Sequence, residues 1–291
     1  MKRKISNSEE GVVGIVVAVL LIGLMVSVVS LIQLVYVPDW MEQREAAHMD
    51  RVAAQFSQLK FAIDTQNANK QDNITIASSI TLGSKELPYW MSLRAFGHLA
   101  ILSDTFILKI NNFSSSLQFS IGVIKYSSSN GYFLNQDFIY EGGAIITNQA
   151  EGNIISIKPS FPGINKVGNK LYITLDLINI SGVGGKLSGS GYGTTAIQTE
   201  YSGLQTEQIF EGVRSIEIIS KYSYSWYIYM NWTLENQGLV PGVLGGDFYI
   251  APDHDNNRII IDFFSNNLDG YPTIDLSILE ILAQIGPGWI A

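Results

Sequence analysis

The chain has 291 residues, with 18 Lys and Arg against 26 Asp and Glu, a net charge of −8 and no cysteine. Without thiols there can be no disulfide, cysteine-ligated zinc, iron–sulfur cluster or cysteine nucleophile, and the acidic balance lacks the basic footprint that nucleic-acid binding needs. With 27 Gly and 14 Tyr, the composition favours strands joined by many turns.

Residues 1–10 form a basic and polar leader that carries Lys2, Arg3 and Lys4. Removing those three cations leaves −11 for the rest of the chain. Residues 11–38 then run for 28 positions without a charged side chain. As a helix they would reach about 42 Å, enough to cross a ~30 Å hydrocarbon core with some tilt. A removable secretory signal fits poorly: its apolar region spans about 7–15 residues, and no small-residue cleavage site precedes Pro38. The expectation is a retained single-pass anchor whose first partner is membrane lipid. Positive charge on the leader, against Asp39 and Glu42 on the other flank, predicts a cytoplasmic N-terminus and an extracellular remainder.

Residues 39–69 predict an amphipathic stalk helix. Met49, Val52, Phe56, Leu59 and Ile63 recur at three- and four-residue steps, which is one helical face. Gln43, Arg44, Asp50, Arg51 and Gln58 fall on other faces. Pro38 lacks an N–H and is expected to kink or divide the helix near the membrane surface. Asn67 and Asn69 mark its expected end.

Residues 70–291 predict a β-rich, sandwich-like head. Short apolar or alternating runs are punctuated by turn signals such as Asn130-Gly131 and Gly142-Gly143. Strands are expected in NITIASSITL, HLAILSD, FILKIN, LQFSIGVIKYS, YFLNQDFIYEGG, AIITNQ, IISIKP, KLYITLDLINIS, TTAIQTEYS, RIIIDFFS and IDLSILEILAQIG. One segment differs. Trp226, Met230 and Leu234 fall at i, i+4 and i+8, and Gly238 supplies a stop, so one short helix is predicted there. The predicted class is therefore α+β: a long N-terminal transmembrane and amphipathic helix, then a β-rich head with one helix.

The basic leader, the stretch SNSEEGVVGIVVAVLLIG and the amphipathic continuation resemble archaeal type IV pilin-like proteins over about 65 residues. The stretches YEGGAIITNQAEG and LINISGVGGKLSGSG are more loosely similar to an uncharacterised group of archaeal surface proteins. The pilin resemblance implies removal of the leader by a prepilin-type peptidase and use of the helix in a filament core. Cleavage between Lys4 and Ile5 would make Glu9 the fifth mature residue, where the family often has Glu. The family usually has Gly or Ala before the cut, and Lys4 departs from that pattern. Glu9 and Glu10 both stand as candidate assembly residues.

Motifs for chemistry are weak. In GVGGKLSGSGYG, Gly185-Lys186 is followed by Leu187 rather than Ser or Thr, and Ile180 holds the first-glycine position of a phosphate loop. Leu187 also breaks the dinucleotide spacing, so a connecting loop is expected. Asp253, Asp255 and Asn257 alternate like a calcium loop, but its sixth and twelfth positions hold Arg258 and Phe264, so a turn is expected. His48, His98 and His254 match no zinc spacing. Sequons at Asn73, Asn112, Asn179 and Asn231 are candidate N-glycosylation sites on an extracellular head.

These observations predict a non-enzymatic, cofactor-free surface protein of the cell membrane, held or assembled through its N-terminal helix. Lipid is its expected partner, and the pilin resemblance adds copies of itself, the prepilin-type peptidase and the assembly machinery. The alternatives are a monomeric anchored envelope protein and a membrane-tethered hydrolase or carbohydrate-binding head. A deep pocket holding two carboxylates, one with a perturbed pKa, would favour the hydrolase, and a filled sandwich without a cleft would weaken it.

Overall fold

The computed structural model describes residues 8–84 and 95–288, with side chains from residue 12 onward. The first described residues, from Ser8 to Asn69, form one unbroken helix. Helix α1 (Ser8–Leu31) passes through a π turn (Ile32–Tyr36) into α2 (Val37–Asn69). Pro38 does not divide it. In a regular α-helix its ring would press on the carbonyl four residues back. Here the preceding turn is widened, and the Val37 N–H donates to the Ile32 carbonyl, five residues back. The helix ends where Lys70 takes a left-handed conformation and its N–H donates to the Gln66 carbonyl at 2.9 Å.

Fourteen strands and one further helix follow among the described residues. In chain order they are β1 (Thr75–Thr81), β2 (Phe96–Asn112), β3 (Ser116–Ser129), β4 (Asp137–Glu141), β5 (Ala144–Gln149), β6 (Gly152–Ile157), β7 (Gly163–Val167), β8 (Lys170–Gly182), β9 (Ser188–Gly191), β10 (Thr194–Phe210), β11 (Val213–Ile219), α3 (Ser223–Asn236), β12 (Phe248–Asp253), β13 (Arg258–Phe263) and β14 (Thr273–Ile285). A five-stranded sheet has the order β1-β10-β14-β8-β7. A nine-stranded sheet runs β12-β13-β11-β2-β3-β4-β5-β6, with β9 on β2. The β14–β8 ladder is parallel and the other ladders are antiparallel.

The sheets pack face to face, which gives the predicted α+β class with a sandwich-like head. At Gly122 on β3 the approach is so close that a Cβ would lie 2.1 Å from the Ile180 carbonyl oxygen on β8. The Gly122 N–H donates to Asn179 Oδ1 across the same gap at 2.9 Å. Only glycine fits there.

Two apolar clusters fill the sandwich. One holds Met49, Val52, Phe56, Leu59 and Ile63 of α2 against Ile80, Tyr126, Tyr140, Ile197 and Ile281. The helical stripe legible in the sequence is thus part of the head's core rather than a free stalk. The second cluster holds Trp226, Met230 and Leu234 of α3. Helix α3 contacts β6 at one edge of the large sheet and β12 and β13 at the other, so the sheet curls around it.

Several local expectations are modified. The runs HLAILSD and FILKIN belong to one strand, β2. An irregularity between Leu102 and Phe106, with Asp104 at φ 54°, lets the strand continue past the break in the pattern. The glycine-rich stretch is not only a loop, because Ser188–Gly191 pairs with β2 as β9. The run beginning at Tyr132 becomes a strand only at Asp137. The Asp-rich run is a hairpin turn between β12 and β13, with Asn257 at φ 50°.

Candidate functional site

The helix divides into two environments. From Val12 to Tyr36 its large apolar side chains face outward, with Ile32 half-buried, over a length of about 37 Å. From Val37 onward one side is buried against the head, including Val37, Met41, Glu45, His48 and the apolar stripe. One helix is therefore long and apolar enough to span a membrane. Tyr36 and Trp40 lie at the junction with ring centroids 6.0 Å apart, both partly exposed. Aromatic side chains of this kind suit a membrane–water boundary.

Polar side chains fix the helix to the head along its length. Glu45 is fully buried and accepts three backbone hydrogen bonds from the β3–β4 loop: Gly131 N–H at 3.0 Å, and Tyr132 and Phe133 N–H at 2.7 Å each. These three donors replace the water that the side chain gave up on burial. Higher on the helix, Gln55 receives the Thr81 N–H at 2.9 Å and donates to Thr81 Oγ1 at 3.0 Å. His48 Nε2 lies 3.0 Å from the Thr81 carbonyl. Burial holds its pKa below the usual imidazole value, partly offset by that hydrogen bond. Gln66 donates to the carbonyls of Ile74, at 3.0 Å, and Thr199, at 2.7 Å.

Glu45 and Gln66 were not singled out from the sequence, although a signal was present. Met41, Glu45, Met49, Val52, Phe56, Leu59, Ile63 and Gln66 follow one continuous three- and four-residue spacing. The polar members of that stripe mark where the buried face meets backbone polar groups of the head. Glu45→Gln should keep the shape, lose the charge and set an amide N–H₂ against one of the loop donors. The expected cost is about 1–2 kcal/mol, read as a lower denaturation midpoint.

The sequence-nominated residues are scattered. Lys4 and Ile5 lie outside the described residues. Glu9 and Glu10 lie in the first turn of α1. Asn73 is exposed with φ 62° in the turn after α2. Asn112 is half-buried, and its Oδ1 accepts from the N–H groups of Ser114 and Ser115 in the β2–β3 turn. Asn231 sits on α3 and donates to Glu235 at 2.8 Å. Asn179 is buried between the sheets, where it accepts from Gly122 and donates to Gln205 at 3.1 Å. In the folded head its amide is committed to these bonds, so this sequon does not present a free acceptor nitrogen.

His48, His98 and His254 remain on separate elements, and no cluster of metal-ligating side chains occurs among the described residues. In the Asp-rich turn, Asp253 accepts from the side chain and backbone of Asn256 and from Arg258 Nε at 2.7 Å. Those bonds hold its carboxyl below the usual range.

Glu141 was also unforeseen. It is buried at the end of β4, where it accepts from Ser220 Oγ at 2.6 Å and Trp226 Nε1 at 2.7 Å. Desolvation pushes its pKa up to about 7, against the pull of those two donors. It is a core carboxyl closed off by Trp226, not a group at a cleft.

No protein-family model, curated protein or solved structure matches the chain.

Proposed function

We propose that this protein is a non-enzymatic, membrane-held surface subunit of the type IV pilin-like kind. Its N-terminal helix serves as anchor and, in an assembled filament, as core. The observation that carries this reading is the division of one continuous helix. Its first part is apolar and uncovered, whereas its second part is locked into a β head by the apolar stripe and by Glu45, Gln55 and Gln66. A head fixed rigidly to a protruding apolar helix suits display outside a membrane or packing of many helices into a bundle. The three cations of the leader support a cytoplasmic N-terminus and an extracellular head. Glu141, the carboxyl with the raised pKa, is sealed in the core, which supports a structural rather than a hydrolytic reading.

In the filament reading, a prepilin-type peptidase would cut between Lys4 and Ile5, and the new amine would pair with Glu9 of a neighbouring copy. Loss of one partner from a poorly hydrated ion pair costs roughly 3–5 kcal/mol. Glu9→Gln should therefore abolish filaments while membrane insertion persists, and Glu10→Gln should have little effect. Membrane fractionation after a high-salt wash, N-terminal sequencing of the surface form and electron microscopy provide the readouts. Recovery of the chain in the soluble fraction would overturn the anchor. An uncut terminus and no filaments would leave an anchored monomer.

A further inference from the structure

The end of the head opposite the apolar helix carries a cleft that anchoring does not use. Strand β10 sets its position. Thr199 lies beside Gln66, near the upper end of α2, and the strand continues in the same direction to Phe210. At about 3.3 Å per residue, Glu211 is roughly 35 Å beyond the helix contact, allowing for the irregularities at Tyr201–Thr206. The ladder places Phe210 opposite Ile274, and the parallel ladder places Thr273 beside Tyr172. The first residues of β8 and β14 and the end of β10 thus meet at this pole.

There they line a cleft of about 620 Å³. Strand alternation turns Leu171, Ile173 and Ile274 into the core and leaves Lys170, Tyr172, Thr174, Thr273 and Asp275 on the outer face. Glu211 and the Asp269–Tyr271 loop complete the wall. The charged side chains there, Lys170, Glu211, Asp269 and Asp275, have no hydrogen-bond or ion-pair partner in the described protein. Tyr172 is well exposed, and Tyr271 packs at right angles to Phe113 with ring centroids 5.0 Å apart.

We propose that this cleft binds a neutral saccharide. A sugar ring has apolar C–H faces that pack on an aromatic ring, and hydroxyls that both donate and accept. The cleft supplies both kinds of contact. Tyr172 and Tyr271 bring aromatic rings to the lining, and three carboxyl side chains can accept hydrogen bonds from hydroxyls. Lys170 and the hydroxyls of Thr174 and Thr273 donate. An anionic ligand would meet Glu211, Asp269 and Asp275. A cationic ligand would meet Lys170 on the same wall. A neutral polyhydroxylated ligand conflicts with neither sign of charge.

The test uses the full chain in detergent micelles and isothermal titration with maltohexaose, cellohexaose and mannohexaose, with hexalysine as the cationic probe. Saturable binding of at least one neutral hexaose is expected. Tyr172→Ala and Asp275→Asn should each weaken it tenfold or more, while the melting temperature stays near the wild-type value because both side chains are exposed. Asp275→Asn preserves shape and serves as the second variant. Failure of all three hexaoses to bind would overturn the proposal. So would binding insensitive to both substitutions, or tighter binding of hexalysine.

Discussion

A chain that starts at residue 70 should fail to fold cooperatively, whereas one that starts at residue 37 should fold. Met49, Val52, Phe56, Leu59 and Ile63 are each 2% exposed or less. Full burial of such a side chain stabilises by about 1.5–3 kcal/mol, so these five contribute roughly 7–15 kcal/mol. The net stability of a domain is about 5–15 kcal/mol. Removing the helix also takes away the Glu45 carboxyl that receives the loop N–H groups and the Gln66 amide that donates to the Ile74 and Thr199 carbonyls. The shorter chain should therefore give a broad, weakly cooperative thermal transition and bind a hydrophobic dye. The longer one should give a sharp melt with a β-dominated circular-dichroism spectrum. A sharp melt from the shorter chain would show that the sandwich closes its own core and that α2 merely rests on it.

The same helix shows how far sequence alone reaches. The periods of α2 and α3 were legible because a buried face must repeat at helical spacing. All three residues singled out on α3, Trp226, Met230 and Leu234, are buried in one cluster. What covers each face was not legible, because periodicity identifies an apolar stripe without identifying its partner. The stripe of α2 could equally have faced a neighbouring copy. The sequence likewise could not show that the irregularity at Pro38 would appear as a π turn ahead of the proline, since that depends on how the carbonyls of residues 31–34 are redistributed.

Strands were easier to find than their limits. Long runs with β-branched residues, such as β8 and β14, appear where their composition suggests. Strands β7, β9 and β12 are short, and β9 reads Ser-Gly-Ser-Gly with no apolar residue. It pairs with Gly97–Ala100, some ninety residues earlier in the chain, so no local pattern of side chains announces it. The candidate sites were less legible still. Glu45, Glu141 and the distal cleft each depend on groups brought together from segments tens of residues apart or more, so no local spacing announces them.

Replacing Glu141 by Gln should make the head more stable at pH 8 and change its stability much less at pH 4.5. The folded-state pKa, near 7, stands above the usual 4.5 because the carboxyl is desolvated. The folded head therefore keeps a proton that the unfolded chain releases. Below pH 4.5 both states are protonated, and the stability associated with this group is fully present. As pH rises from 4.5 to about 7, the unfolded state ionises first and that stability is lost, at about 1.4 kcal/mol per pH unit. The total reaches about 3 kcal/mol and then levels off. Gln cannot titrate, and its carbonyl can still accept from Ser220 and Trp226. His48 acts in the opposite direction: its lowered pKa means that stability is lost as pH falls below about 6.5. That contribution is common to both proteins and cancels in their difference. Urea denaturation of wild type and Glu141→Gln at pH 4.5, 6 and 8 should give a difference that grows by about 3 kcal/mol in favour of the variant. Parallel pH profiles would mean that Glu141 is ionised in the folded head and that Ser220 and Trp226 alone compensate its burial.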